Sequence, residues 1–355
     1  MNAAVLVYRQ VTDHEVTASL LWIDPFAARV LHSIPVAISP NLGIFPSHDC
    51  ALVSFAEYTD DSRRDWLDVY RLSDWSLRVR LPMEDRPHFN VCPLWSTFLS
   101  SPDDSLIYVY QARTLGHHRS EDFVCGLDPA GPSFTSWKFQ VPECVGGWSR
   151  SAGSAHAQML FTADGLETGA LPTAEFDQKM GFWLGPDGGM APSVSLGPRP
   201  RSHSDLGHAR AIVCAPLRPL SAAVCTDGVV HLIDPADMRY LERQQLTFQT
   251  GYAMPILAAQ IDRHGRRLYV GISRDRARHQ GLIERIVVHG LDEAGPQDEW
   301  ALEEPLSHMA LSDDGTCLVG VTAGSRTLRV LDSGTGRSRV TMQLDETPQY
   351  VIPVD

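Results

Sequence analysis

Residues 312–344 read SDDGTCLVGVTAGSRTLRVLDSGTGRSRVTMQL. Asp313-Asp314-Gly315 supplies residues that accept the backbone angles of a tight hairpin. A short apolar run, Cys317–Val321, follows, and then a Gly-Ser turn. In Thr327–Leu331, Leu328 and Val330 alternate with their neighbours as on a half-buried strand. Asp332-Ser-Gly-Thr-Gly makes a second tight turn, and Ser338–Leu344 is a third strand. Three or four short antiparallel strands in about 35–45 residues is the size of one propeller blade.

The strand, Asp-containing turn, strand unit recurs outward from there. Its copies are Leu20–Asp24 with Arg29–Ile34, Trp66–Tyr70 with Leu77–Leu81, and Phe123–Asp128 with Ser136–Val141. A degraded copy spans Gly181–Leu184 and Ser193–Leu196, and clearer ones join Val229–Asp234 to Arg239–Leu246 and Arg285–His289 to Glu299–Leu302. Turns of the opening kind, Ser47-His-Asp, Ser101-Pro-Asp-Asp and Asp262-Arg-His-Gly, precede the runs Ala51–Phe55, Leu106–Tyr110 and Arg267–Gly271. Strand ends near 24, 71, 128, 185, 234, 289 and 332 predict an all-β, seven-bladed β-propeller of four-stranded antiparallel sheets, one domain over residues 1–355. Ala3–Tyr8 and Gln349–Val354 lack hairpins of their own, so the ring is expected to close by pairing of the N- and C-terminal strands.

Composition narrows the partners. A formal net charge of −13 argues against nucleic acid and against an anionic membrane surface, both of which recruit Lys and Arg. No run reaches the roughly 20 apolar residues of a membrane-spanning helix, and MNAAVLVYRQVTDHEV has no signal-peptide pattern, so a cytoplasmic location is expected. The seven cysteines form no CxxC pair and mostly fall in apolar strand-like runs, as buried reduced thiols would.

At low identity, from about Leu20 onward, the chain resembles the heavy subunit of the quinoprotein amine dehydrogenases, the methylamine and aromatic amine dehydrogenases. The resemblance rests on DWLDVYRLSDWSLRVRLPMEDRPHF (65–89), LWSTFLSSPDDSLIYVYQ (94–111), VPEC (141–144), VVHLIDPADM (229–238), LYVGISRDRARHQGLIERIVV (268–288), TLRVLDSGTGRSR (327–339) and TPQYVI (347–352). It implies a seven-bladed scaffold that is not itself catalytic. Such a scaffold grips a small light-chain-like redox protein, whose tryptophan tryptophylquinone oxidises the amine, and helps to wall the substrate channel. It places the channel aromatic near Tyr58, and its most specific element, Arg274, Asp275, Arg278 and His279, either in an inter-blade ion network or at the partner interface. Three departures from the family are expected: its N-terminal arm and leader would be missing, since the first repeat begins almost at once; its disulfide would be lost, since Cys144 matches one partner and the other falls near Thr162; and the light subunit would be supplied by another chain. The family's members are periplasmic.

The residues also allow a stand-alone enzyme or small-molecule binder using the axial funnel, with Tyr58, His208 and His279 as candidates, or a general protein-interaction propeller. No GxSxG, Walker loop, HExxH or strand-borne GxGxxG is present. His203, Asp205 and His208 have ligand types suited to zinc or iron, but spacing within a loop is a weak signal, and no metal is expected. His117-His118 with Arg119 and Glu121 reads as a polar loop tip. Most of the eight tryptophans fall where blades would pack.

Overall fold

The computed structural model describes residues 1–12, 15–37, 40–59, 62–83, 86–87, 98–100, 104–116, 119–141, 145–150, 157–161, 178–184, 190–198, 209–215, 217–225, 228–234, 239–246, 256–273, 282–292, 295–322 and 324–354. Blade 1 contains β1 (Asn2–Thr12), β2 (Glu15–Asp24) and β3 (Arg29–Val36). Blade 2 is β4 (Asn41–Phe45), β5 (Cys50–Thr59), β6 (Ser62–Arg71) and β7 (Leu77–Met83). Blade 3 is β8 (Arg86–Pro87), β9 (Phe98–Ser100), β10 (Ile107–Gly116), β11 (Arg119–Asp128) and β12 (Ser133–Val141). Blade 4 is β13 (Val145–Arg150), β14 (Ala157–Phe161), β15 (Gln178–Leu184) and β16 (Met190–Pro198). Blade 5 is β17 (Ala209–Cys214), β18 (Ser221–Cys225), β19 (Val229–Asp234) and β20 (Arg239–Gln245). Blade 6 is β21 (Ile256–Ile261), β22 (Arg267–Ile272), β23 (Ile283–Gly290) and β24 (Gly295–Leu306). Blade 7 is β25 (His308–Leu311), β26 (Cys317–Thr322), β27 (Thr327–Asp332) and β28 (Ser338–Gln343), and β29 (Thr347–Val354) ends the chain. Every strand pairing is antiparallel, and each joins sequence neighbours except those of β29 with β1 and of β8 with β10.

Strand β26 shows why these segments stack as blades. All six of its residues are buried, and the pleat sends successive side chains to opposite faces. Leu318 joins the core shared with blade 6, among Ile286, Val288 and Leu306. Its neighbour Val319 joins the core shared with blade 1, among Ala3, Val5, Val7 and Val351. A sheet covered on both faces therefore reads as a continuous apolar run instead of an alternating one.

Two parts of the expected architecture are corrected. The described strands form seven sheets, of which six have four strands and blade 3 has five. There β9 pairs with Ile107–Val109 of β10, while β8 pairs with Gln111 and Ala112. Pro87 has no N–H with which to carry the ladder on, so the edge is shared by two short pieces. The second correction concerns closure. Ala4 pairs with Ile352 and Val5 with Val351, so the terminal strands do meet, but this pairing completes blade 1 only. Blade 1 is joined to both neighbours by side-chain packing: to blade 7 through the core just described, and to blade 2 through Ala4 and Leu20 against Ala51 and Trp75.

With the strands of each blade lettered a to d in sheet order (β29, β1, β2 and β3 in blade 1; β8 and β9 together as a in blade 3), the a–b and c–d connections leave from one end of the strands and the b–c and d–a connections from the other. Between described strands, no a–b or c–d connection exceeds six residues, the longest being 101–106, 151–156 and 215–220. Connections of ten residues or more are 162–177, 199–208, 246–255 and 273–282, all of the b–c and d–a kind, and 88–97, which joins the two pieces β8 and β9 of one edge. Among the described residues no helix is long and apolar enough to cross a membrane.

Candidate functional site

Among the described residues, Asp side chains of the short-turn end bond to their own turns. Asp24 accepts from the backbone N–H of Phe26 and Ala27 at 3.1 and 3.0 Å, and Asp128 from Ala130 at 2.8 Å. Asp262 accepts from Arg266 at 2.8 Å, Asp314 from Thr316 at 2.9 Å, and Asp332 from Gly334 and Thr335 at 3.0 and 2.9 Å. An Asp side chain that caps its own turn in this way fixes the hairpin. It also stays ionised. The Arg339 guanidinium and the Thr335 hydroxyl hold Asp332 below the ordinary carboxylate range, and hydrogen bonds from Ser76 do the same for Asp74. Partial burial pushes Asp314 upward, but bonds from Ser312 and Thr316 outweigh it. Such carboxylates hold the turns and are poorly suited to proton transfer.

Polar latches tie blade to blade. Glu304 on β24 accepts from the Ser325 N–H and hydroxyl at 3.0 and 2.6 Å, holding the β26–β27 turn. Gln244 on β20 donates to the Leu291 carbonyl at 3.0 Å, and its Oε1 lies 2.7 Å from His289 Nε2. Burial lowers the His289 pKa, which keeps the ring neutral. On blade 2 the Arg80 guanidinium grips buried Asp68 at 2.7 and 2.8 Å, and burial and then Asp68 push the Tyr70 hydroxyl up to about 12. Cys50, Cys125 and Cys317 are buried free thiols; burial raises Cys50 to about 12, so this sulfur is inert.

One open groove, about 450 Å³ in volume, lies where blade 1 meets the β6–β7 turn of blade 2. It is lined by Trp22, Arg29, Val30, Leu31, His32, Leu72, Ser73 and Trp75. Trp22 and Trp75 touch, with ring centroids 5.1 Å apart and planes tilted by 57°. Trp75 has φ 58°, in the left-handed region. This is the turn position that Gly336 holds in blade 7 at φ 69°. The bonding is the same in both: Trp75 N donates to Arg71 O, and Gly336 N to Asp332 O, each at 2.8 Å. For a bulky L-residue that conformation costs about 1–2 kcal/mol. At Gly336 the space a side chain would need is filled by Trp300.

The residues expected to form the site are only partly placed. His208, His279, Arg274, Asp275 and Arg278 lie outside the described residues, as do His203, Asp205 and Cys144. Tyr58 sits on β5 opposite Arg63 in the backbone register, next to the β5–β6 (b–c) connection; its side chain lies outside the description. By chain order His208 belongs to the β16–β17 connection, and Arg274–His279 to the β22–β23 connection. Among the described residues no three His, Cys, Asp or Glu side chains are grouped as a metal would require. Trp75 and Trp300, read from sequence as packing residues, are 7% and 8% exposed. The Trp22–Trp75–Arg29 groove was not legible, because nothing in RLSDWS marks the tryptophan as left-handed.

No family model matches the chain, and no curated protein matches it. Among solved structures it is similar to the β-propeller domain of Cps50 (Swd1) from Myceliophteria thermophila, with a TM-score of 0.56, 11% identity and 89% of each chain covered. It is also similar to dihydro-heme d1 dehydrogenase NirN in complex with DHE, with a TM-score of 0.53 and 12% identity, over 98% of this chain and 74% of that one. At such identities the likeness shows the fold, a β-propeller, and nothing of activity.

Proposed function

We propose that the protein is a non-catalytic propeller scaffold that holds a small redox partner protein at the end of the ring carrying the b–c and d–a connections. The observation that supports this reading is the contrast between the two ends. One is finished with short turns whose carboxylates are spent on their own backbone. The b–c and d–a connections are the longer set in chain length, with 162–177, 199–208, 246–255 and 273–282 among them, and by sequence two of these carry His208 and Arg274–His279. A rigid scaffold presenting loops at one end is the usual arrangement for binding. The family resemblance supplies the finer content: the partner would carry a tryptophan tryptophylquinone, and Tyr58 would stand at the wall of its substrate channel.

The test is capture from the native host with the tagged full-length protein, followed by quinone-dependent redox staining of any small protein retained. Retention of a quinone-positive partner is expected, and reversing charge with Arg274→Glu and Arg278→Glu reduces it. Leu217→Ser, at an exposed position on the short-turn end, leaves it unchanged. Absence of a stained partner, or equal capture by the charge-reversed protein, refutes the proposal. A second reading, a small-molecule binder using the axial funnel, draws on NirN, a similar propeller solved with DHE bound. Thermal stabilisation by a tetrapyrrole, an amine or a divalent metal in the absence of any partner would favour it.

A further inference from the structure

The groove between blades 1 and 2 stands apart from that reading. It lies on the Asp-capped turn end: Trp22 is close to the end of β2, Arg29–His32 begin β3, and Leu72–Trp75 form a c–d turn. We propose that this groove binds a small aromatic carboxylate, its ring against the Trp22 and Trp75 indoles and its carboxylate on Arg29, with His32 beside it. Size, shape and charge each narrow the choice. About 450 Å³ falls within the range of small-molecule sites and accommodates one ring with a short side chain. Two indoles already in contact at 5.1 Å leave no slot between them, so a flat ring lies against their outer faces.

Charge decides the sign of the ligand. Two tryptophans alone would suit a cation, but the charged lining is Arg29, joined by the titratable His32, and contains no carboxylate. Arg29 forms no ion pair among the described residues. Nearby acids are engaged with turn donors: Asp24, opposite Arg29 in the β2–β3 register, accepts from the Phe26 and Ala27 N–H, Asp49 from the Ser73 N–H and hydroxyl at 2.7 and 2.9 Å, and Asp74 from the Ser76 N–H and hydroxyl at 3.0 and 2.6 Å. In a protein of net charge −13, a cationic, aromatic-walled recess is a distinctive place for an anion to rest. The left-handed backbone of Trp75 points the same way, since a side chain held in a costly conformation at a cleft is the pattern of a binding site.

The test uses the full-length protein and three probes, phenylacetate, its neutral amide and acetate, followed by tryptophan fluorescence and calorimetry. Wild type is expected to bind phenylacetate saturably, to bind the amide more weakly, and not to bind acetate. Arg29→Gln, at an exposed position, is expected to weaken phenylacetate binding by about tenfold while leaving the amide unaffected. Urea denaturation of the variant confirms that it remains folded. The proposal is overturned if wild type shows no saturable phenylacetate signal, if the amide binds equally well, or if Arg29→Gln binds phenylacetate as wild type does.

Discussion

Replacing Gly336 with alanine tests the packing logic of the turn end most sharply. A Cβ at this position would stand 2.4 Å from Trp300 Cδ2 and 2.6 Å from its Cγ, closer than carbon atoms approach without displacement. Trp300 has little room to yield. It is 8% exposed, its Nε1 donates to Asp298 at 2.9 Å, and its ring packs 6.0 Å from that of Tyr269. Forcing it aside is an overpacking change, costing about 1–3 kcal/mol. Alanine at φ 69° adds about 1–2 kcal/mol of left-handed strain. The expected loss is therefore about 2–5 kcal/mol, read as a lowered urea midpoint by far-UV circular dichroism and tryptophan fluorescence. Ala28→Gly is the control. Ala28 is an exposed turn residue at φ 49°, and relief of its strain is offset by glycine's greater chain entropy, so its stability shifts by no more than about 0.5 kcal/mol. A Gly336→Ala midpoint equal to wild type would show that Trp300 does not hold that space.

Two further outcomes follow from burial. Val351, fully buried where β29 completes blade 1, loses about 2 kcal/mol on truncation to alanine, whereas Val11→Ala, at a half-exposed position, changes stability by no more than about 0.5 kcal/mol; equal effects would mean that β29 is not integral to the blade. His289 is held below its ordinary value of 6.5 by burial. The unfolded chain therefore takes up this proton first, so the contribution of the neutral ring is complete above 6.5 and is lost as pH falls through the lower folded value. Urea midpoints measured above and below 6.5 should drop more in wild type than in His289→Gln, and parallel drops would exclude His289 as the source.

Much of the ladder pattern was visible in the residues, because turns and strands are local. Asp332-Ser-Gly-Thr-Gly ends β27, and the positions near 24, 71, 128 and 234 likewise close β2, β6, β11 and β19. Runs such as Cys317–Val321 were legible as short apolar strands, while their burial on both faces came only from the stacking of neighbouring sheets. Blade 3 was harder: an edge divided between β8 and β9 depends on where Pro87 meets β10, which is a matter of pairing across the sheet. The groove was harder still, since it needs Trp22 from one blade, Trp75 from the next, and a backbone angle that no residue code specifies.

By itself, then, the amino-acid order determined the repeating unit, the apolar strands and the Asp-capped turns, because each depends on neighbours only a few positions away. The tertiary structure alone decided what joins blade 1 to both its neighbours, which indole fills the space at Gly336, and that Arg29 lines a groove with two tryptophans. Those contacts bring together groups that are remote along the chain, and they exist only once sheets are stacked face to face at fixed register.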